Sequence, residues 1–295
     1  MIVICVAPWA SRSIAAEPRM GLPPACPESG RGAAAMRADR HRECSQAQRQ
    51  GVRQGDHMRV LDHQYVIAID GPGAAGKSTV ALELAGHLGA LLFDTGALYR
   101  AVTLASRRAG IAGSDAAALA ELADEVRIEI HPASVADGRQ IDVVLDGEDV
   151  TWAIRTPEID ATVSEVSAHP EVREALLDVQ RKIADGRKAV LGGRDIGTVV
   201  IPDAGTKVFL VASPAERARR RRKELQGRGI TASHETVLND LEERDAYDSS
   251  RAASPLKAAP DALIIDTDGR IVDEIVREIE SAVRGRWESR QAAHD

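Results

Sequence analysis

The sequence predicts an α/β protein in which a parallel five-stranded sheet carries helices on both faces. Three observations carry this prediction. Five short, nearly continuous apolar runs lie at 65–70, 90–94, 188–191, 207–212 and 262–266, as strands covered on both sides do. Stretches of helical spacing separate them, the alternation expected of strands joined by crossover helices. The first run also ends in a Gly-rich turn that leads directly into a helical pattern.

A segment of different character precedes the first run. Residues 1–57 hold eight Arg and five acidic residues, a net charge of +3, while the whole 295-residue chain carries −7 and residues 58–295 therefore −10. All three cysteines (Cys5, Cys26, Cys44) and all four methionines (Met1, Met20, Met36, Met58) fall within the first 58 residues. The remainder thus has no disulfide framework, cysteine cluster or cysteine nucleophile to offer. Residues 1–57 are rich in Pro, Gly, Ala, Arg and Gln, show no sustained period, and bring too little apolar surface to offset chain entropy. The apolar run at 2–10 is too short to span a membrane and lacks the basic lead of a signal peptide. Acidic residues count against a transit peptide. The segment 1–57 is read as a disordered tail or an upstream extension of the gene, 58–283 as the working domain and 284–295 as a C-terminal tail. The negative balance argues against bulk nucleic-acid binding. A cytoplasmic chain with no membrane or nucleic-acid partner is expected, and a monomer, because no unexplained apolar stripe asks for a second copy.

The turn after the first run is Gly71, Pro72, Gly73, Ala74, Ala75, Gly76, Lys77, Ser78 and Thr79. Gly71, Gly76, Lys77 and Ser78 meet the pattern G-x-x-x-x-G-K-[S/T] of a P-loop. Its glycines let successive backbone N–H groups curl around phosphate oxygens. The helix that follows, with Val80, Leu84 and Leu88 at helical spacing and Ala81 and Ala85 beside them, points its positive end at the same anion. Lys77 supplies a mobile charge for the outer phosphates, and Ser78 a hydroxyl for Mg²⁺. The strand–loop–helix context weighs against an accidental Gly-rich turn. The loop therefore predicts a site for a nucleoside triphosphate.

Between the second and third runs lies a long insert, about 96–172. It contains two strand-like runs, 126–131 and 141–145, separated by Ala136, Asp137 and Gly138, which suggests a hairpin. After the fourth run, Ser213, Pro214 and Glu216 read as a helix start: a cap, a first-turn proline and a capping-box partner. That helix carries Arg217 and Arg219 to Arg222, before Gly227 and Gly229. No aromatics interleave with these arginines, so a single-stranded nucleic-acid patch is disfavoured. Further on, Arg244, Asp248 and Arg251 stand at i, i+4 and i+7, one face of a helix if the helix continues through them.

Five blocks together resemble one family. Phe93-Asp94-Thr95-Gly96-Ala97-Leu98-Tyr99-Arg100 is similar to the D-[S/T]-G-x-x-Y-R segment of bacterial cytidylate kinases. Ile154-Arg155-Thr156-Pro157-Glu158, with Val163-Ser164 and Pro170-Glu171-Val172-Arg173, resembles that family's next block. Gly193-Arg194-Asp195-Ile196-Gly197-Thr198-Val199-Val200 resembles its G-R-D-[I/M]-G-T-V-V signature. Arg244-Asp245, Asp248 and Arg251 follow, and with the P-loop the likeness covers about 64–280. Gly192 departs from the pattern, which has an acidic residue there in many relatives.

The resemblance implies a P-loop NTPase fold with an inserted nucleoside monophosphate-binding subdomain, short antiparallel strands and a helical lid at about 215–233. It implies phosphoryl transfer from ATP, with Mg²⁺, to CMP or dCMP in pyrimidine nucleotide metabolism. Lys77, Arg194 and Arg251 would act on the transferring group. Arg100, Arg194 and Arg251 would grip the acceptor phosphate with Thr95 as a hydroxyl donor, and the planar guanidinium suits such bidentate contact. Asp195 would accept from the cytosine amino group, with Ser164 beside it and Arg173 donating to the acceptor edge. Uracil shows a carbonyl where cytosine shows the amine, so UMP should be the poorer substrate. Arg244 and Asp248 fall at the sugar, and Arg217 and Arg221 of the lid at phosphates. Most of the 32 arginines are solvated surface charges, and only those inside matched blocks escape that reading. Adenylate, guanylate and thymidylate kinases share the P-loop core, but the 193–200 signature and the long insert favour the cytidylate branch. A switch GTPase would need an N-K-x-D motif, which is absent.

Overall fold

Five parallel strands in the order β2-β6-β1-β7-β8 form the main sheet of the computed structural model, which describes residues 63–291. The strands are β1 (Val66–Asp70), β2 (Leu91–Asp94), β6 (Ala189–Gly192), β7 (Thr206–Val211) and β8 (Leu263–Asp266). They fall on the five apolar runs with shifts of a residue at most at their ends. All of β1 is buried and Val66, Ile67, Ala68 and Ile69 are wholly so, because β6 and β7 flank it and helices cover both faces. The expectation for residues 1–57 lies outside the described residues.

The helices are α1 (Lys77–Leu88), α2 (Thr95–Ala109), α3 (Ala116–Glu125), α4 (Pro157–Val166), α5 (Pro170–Ala184), α6 (Pro214–Gly227), α7 (His234–Ser250) and α8 (Val272–Gln291). The last runs past residue 283, where a tail was expected to begin. Val80, Ala81, Leu84 and Ala85 of α1 are buried, as their spacing predicts, and Leu88 packs at the margin of the same core. The insert carries a second sheet, β3 (Ile128–Pro132), β4 (Ile141–Leu145) and β5 (Glu148–Asp149), antiparallel throughout. Its first two strands are the expected hairpin. The two-residue β5, both residues exposed, is too short to leave a pattern in sequence.

Two local readings need correction. Ser213 caps α6 by accepting from the Glu216 N–H at 3.3 Å, but Glu216 does not reach back to complete a capping box. Asp268 accepts from the Ser213 N–H instead, at 3.0 Å, and Glu216 spends its carboxylate on Arg219 and Arg220. Helix α7 ends at Ser250, and Arg251 leaves it with extended backbone (φ −57°, ψ 136°). Only Arg244 and Asp248 are therefore on the helix, and Arg251 folds back to Asp248 from the first residue beyond it.

Strand order fixes where a ligand can sit. Chain from β1 crosses to β2 on one side, and β7 and β8 extend the sheet on the other. The carboxyl ends of β1, β6 and β7 thus open a crevice at the reversal. The P-loop follows β1, the 193–200 segment follows β6 and α6 follows β7.

Candidate functional site

The donor side is a backbone cradle. Gly71 has φ +146°, and a Cβ there would lie 2.3 Å from the Leu210 carbonyl oxygen, so only glycine fits. Gly76, at φ +97°, is the residue before the first turn of α1 and aims that helix's unpaired N–H groups into the loop. Lys77 Nζ donates to the Gly71 and Pro72 carbonyls at 2.8 and 2.6 Å. Burial, then the neighbouring Arg194 charge, lowers its pKa from 10.5 to about 7. Lys77, exposed Ser78, Asp94 and Gly192 share a small open cleft, with Gln140 and Ile141 of the insert on its wall. Asp94 is the one carboxylate among those lining residues. At Gly192, the departure from the family pattern, a Cβ would meet nothing within 4 Å.

The end of β1 also supports the acceptor side. Asp70 accepts from the Ile196 and Gly197 N–H groups at 2.9 and 2.8 Å and so ties the 193–200 segment to the P-loop strand. Burial raises its pKa to about 6 against the pull of those two hydrogen bonds. The segment continues as a π-helical turn, Ile196–Val200. Its preceding residues, Arg194 and Asp195, point to different partners.

Arg194 spans the two halves. It donates to the Gly71 carbonyl at 3.4 Å and pairs through Nε with Asp248. Asp248 is fully buried and also pairs with Arg251, which donates to the Ser167 hydroxyl at 3.1 Å and the Ser164 carbonyl at 3.4 Å. Asp195, 5% exposed, pairs with Arg173. Arg173 also donates to the Ser167 carbonyl at 2.9 Å and stacks 5.2 Å from the Tyr99 ring centroid. The Ser164 hydroxyl is buried beside this group without a hydrogen-bond partner among the described residues. An unsatisfied buried hydroxyl is a cost that a polar ligand atom would remove.

A third group gathers on α4. Arg100 of α2 donates to the Ile154 carbonyl at 3.2 Å and reaches Asp160 at 2.5 Å. Arg221 of α6 also meets Asp160 at 2.5 Å, and Arg244 of α7 stands 3.9 Å from it. Burial, then repulsion from Arg194 and Arg100, lowers Arg244 to about 9.

The expected residues therefore converge, with two qualifications. Thr95 directs its hydroxyl proton to the Gly192 carbonyl at 3.0 Å and is buried. Arg217 does not join Arg221; it lies against the P-loop, donating to the Gly73 carbonyl at 3.2 Å and pairing with Asp245. Sequence reading passed over Asp70, Asp160 and Arg220. Asp70 ends an apolar run directly before the loop, and Asp160 precedes Ser164 by one helical turn; both signals were present. Arg220 binds Thr267 at 2.8 and 2.6 Å and touches the Ala75 carbonyl at 3.5 Å, contacts that depend on where β8 ends.

The family model and the curated relatives agree on one family. The family model described as cytidylate kinase matches residues 67–285. A cytidylate kinase of Herpetosiphon aurantiacus is 48% identical over 215 residues, covering 73% of this chain and 92% of the relative. One from Pelotomaculum thermopropionicum is 49% identical over 217 residues, covering 74% and 95%. Among solved structures, a shikimate kinase from Bacteroides thetaiotaomicron is similar at a TM-score of 0.37 and 16% identity, over 74% of this chain and 98% of that one.

Proposed function

The chain belongs to the cytidylate kinase family, and from that premise we propose how its residues move the γ-phosphoryl group of ATP to CMP or dCMP, giving CDP or dCDP and ADP. One observation carries the reading: Arg194 touches the P-loop at Gly71 and, through Asp248, is held in one group with Arg251. A guanidinium so placed faces donor and acceptor phosphates at once.

The backbone of residues 71–79 cradles the donor phosphates, and Lys77 neutralises the outer ones. Hard oxygen donors suit Mg²⁺, which keeps several waters and binds through one or two protein oxygens plus phosphates. The Ser78 hydroxyl and the Asp94 carboxylate, sharing one cleft, fit that demand. Ser78 would be the direct ligand. When bound, the ion would neutralise charge on the donor phosphates. Arg100, Arg194 and Arg251 grip the acceptor phosphate, with Thr95 at its edge. The Asp195–Arg173 pair offers an acceptor beside a donor, the complement of the cytosine amino group and its neighbouring acceptors. The buried Ser164 hydroxyl adds one further hydrogen bond. Arg244 and Asp248 lie at the sugar. Arg217 and Arg221 bring the lid helix to the phosphates. Alignment of two anions and neutralisation of their charge supply the rate, and the acceptor phosphate needs no separate base.

The reading extends to a single chain working in the cytoplasm in pyrimidine nucleotide metabolism, without nucleic-acid or membrane partners. Residues 58–283 would carry the activity, with the insert at about 96–172 and the lid at about 215–233. The decisive test is a coupled assay of residues 58–295 with ATP, Mg²⁺ and each nucleoside monophosphate in turn. CMP and dCMP should be turned over in preference to UMP, AMP and GMP. Equal use of UMP would sink the assigned roles of Asp195 and Arg173. Lys77→Ala should abolish transfer while leaving the thermal midpoint within a few degrees, about the range of a partly exposed substitution.

A further inference from the structure

We infer that Asp160 is a positioning residue for this reaction: its carboxylate gathers Arg100, Arg221 and Arg244 from three different helices and thereby couples the lid to the acceptor-phosphate side. The inference rests on the proposed roles of those arginines. The geometry is specific. Asp160 lies in the first turn of α4, with its side chain 19% exposed. One oxygen meets Arg100 of α2 at 2.5 Å, and the other meets Arg221 of α6 at 2.5 Å. Arg244 of α7 stands 3.9 Å from the first oxygen. The two oxygens are thus divided between an acceptor-side arginine and a lid arginine.

Elementary electrostatics gives the arrangement its purpose. Three guanidiniums brought together repel, and the more strongly where water is partly excluded. Asp160 between them lets them converge, and with Glu224, which also pairs with Arg221 at 2.7 Å, the group keeps a net charge of about +1 for an anion to meet. Burial alone would raise the Asp160 carboxyl, yet Arg100, Arg221 and Arg244 pull it below its ordinary value, so it stays ionised. A second role for an acidic residue here is to complement the positive end of α4. Glu158, in the same turn, serves that role too, and it would not require the side chain to reach helices α2 and α6.

The test uses the full chain with Asp160→Asn, Asp160→Glu, Arg221→Gln, the Asp160→Asn/Arg221→Gln double variant, and Arg100→Gln. Asp160→Asn should raise the KM for CMP about fivefold or more, with the thermal midpoint nearly unchanged, and Asp160→Glu should recover most of the loss. In the Arg221→Gln background, Asp160→Asn should cost well under half as much, because the residue it acts through is already gone. An unchanged KM for CMP, strictly additive effects, or a loss of activity that follows a loss of thermal stability would each overturn the inference. Arg100→Gln separates this from the underlying reading. If it leaves the KM for CMP unaltered, the acceptor-site assignment fails. If it raises that KM while Asp160→Asn does not, only the role of Asp160 falls.

Discussion

The two halves of the site are built from different materials. The donor side is backbone: a loop in which Gly71 and Gly76 adopt positive φ, followed by a helix end, with Lys77 as its main side-chain charge. The acceptor side is side chain: six arginines and three carboxylates brought in by α2, α4, α5, α6, α7, the residue just beyond α7 and the loop after β6. A backbone cradle depends on steric room at single positions and fails outright when one is filled. A charge network shares its task among many groups, so losing one should give a graded and selective defect.

The largest expected effect is on the cradle. Gly71→Ala places a methyl group 2.3 Å from the backbone oxygen of Leu210 at a φ of +146°, and neither strand can yield cheaply. We expect about 3 kcal/mol or more of lost stability and no measurable transfer, read by denaturant unfolding and the coupled assay. A soluble, active variant with an unchanged unfolding midpoint would break the contrast between the two halves. Next in size is Asp195→Asn. The amide keeps the shape but reverses part of the hydrogen-bonding pattern, so the ratio of kcat/KM for CMP over UMP should fall about 100-fold. A ratio cancels any loss of folded protein, which matters because Arg173 loses its buried partner.

These two cases show why the sequence revealed one half more directly than the other. Residues 71–79 are contiguous, and the sterics that make the cradle are written in neighbouring letters. The five strands were legible for a similar reason, since each is an unbroken apolar run. Asp195 and Arg173 lie 22 residues apart, Arg221 and Asp160 lie 61 apart, and Arg194 meets the P-loop across 123. No local pattern encodes such meetings; only likeness to a family pointed to the residues, and it did not say which would pair. Asp160 shows the limit: a single acidic residue in a helix start has an ordinary local explanation. The capping box at Ser213 shows the reverse error. Its local pattern was complete, but Asp268, 55 residues away, took the place of Glu216.

A smaller effect is expected at Ser164. Its hydroxyl is buried without a partner among the described residues, so Ser164→Ala should leave stability within about 0.5 kcal/mol, or slightly improve it. If the hydroxyl serves the base, kcat/KM for CMP should nevertheless drop about tenfold, the cost of one neutral hydrogen bond in a desolvated site. A loss of stability without a loss of CMP turnover would reassign Ser164 to packing of α4.

The smallest effect is a pH dependence set by Lys77, the side chain in the otherwise backbone-built half, and it follows from charge alone. Burial, and Arg194 beside it, lower its pKa from 10.5 to about 7. A triphosphate in the loop brings negative charge to the ammonium and favours the protonated form, so its pKa must rise on binding. The sign is then fixed. The free protein has Lys77 about half protonated at pH 7 and about one-tenth protonated at pH 8, and ATP binding takes up the missing proton. ATP affinity should fall about fivefold between pH 7 and pH 8, and binding at pH 8 should take up roughly 0.9 proton. Titration calorimetry in two buffers of different ionisation enthalpy measures that uptake directly. Arg194→Gln should reduce it, because removing the second cation lets Lys77 regain part of its charge before ATP arrives. Proton release on binding, or no exchange at all, would mean that the ammonium is already charged, and that Arg194 does not link the two halves electrostatically.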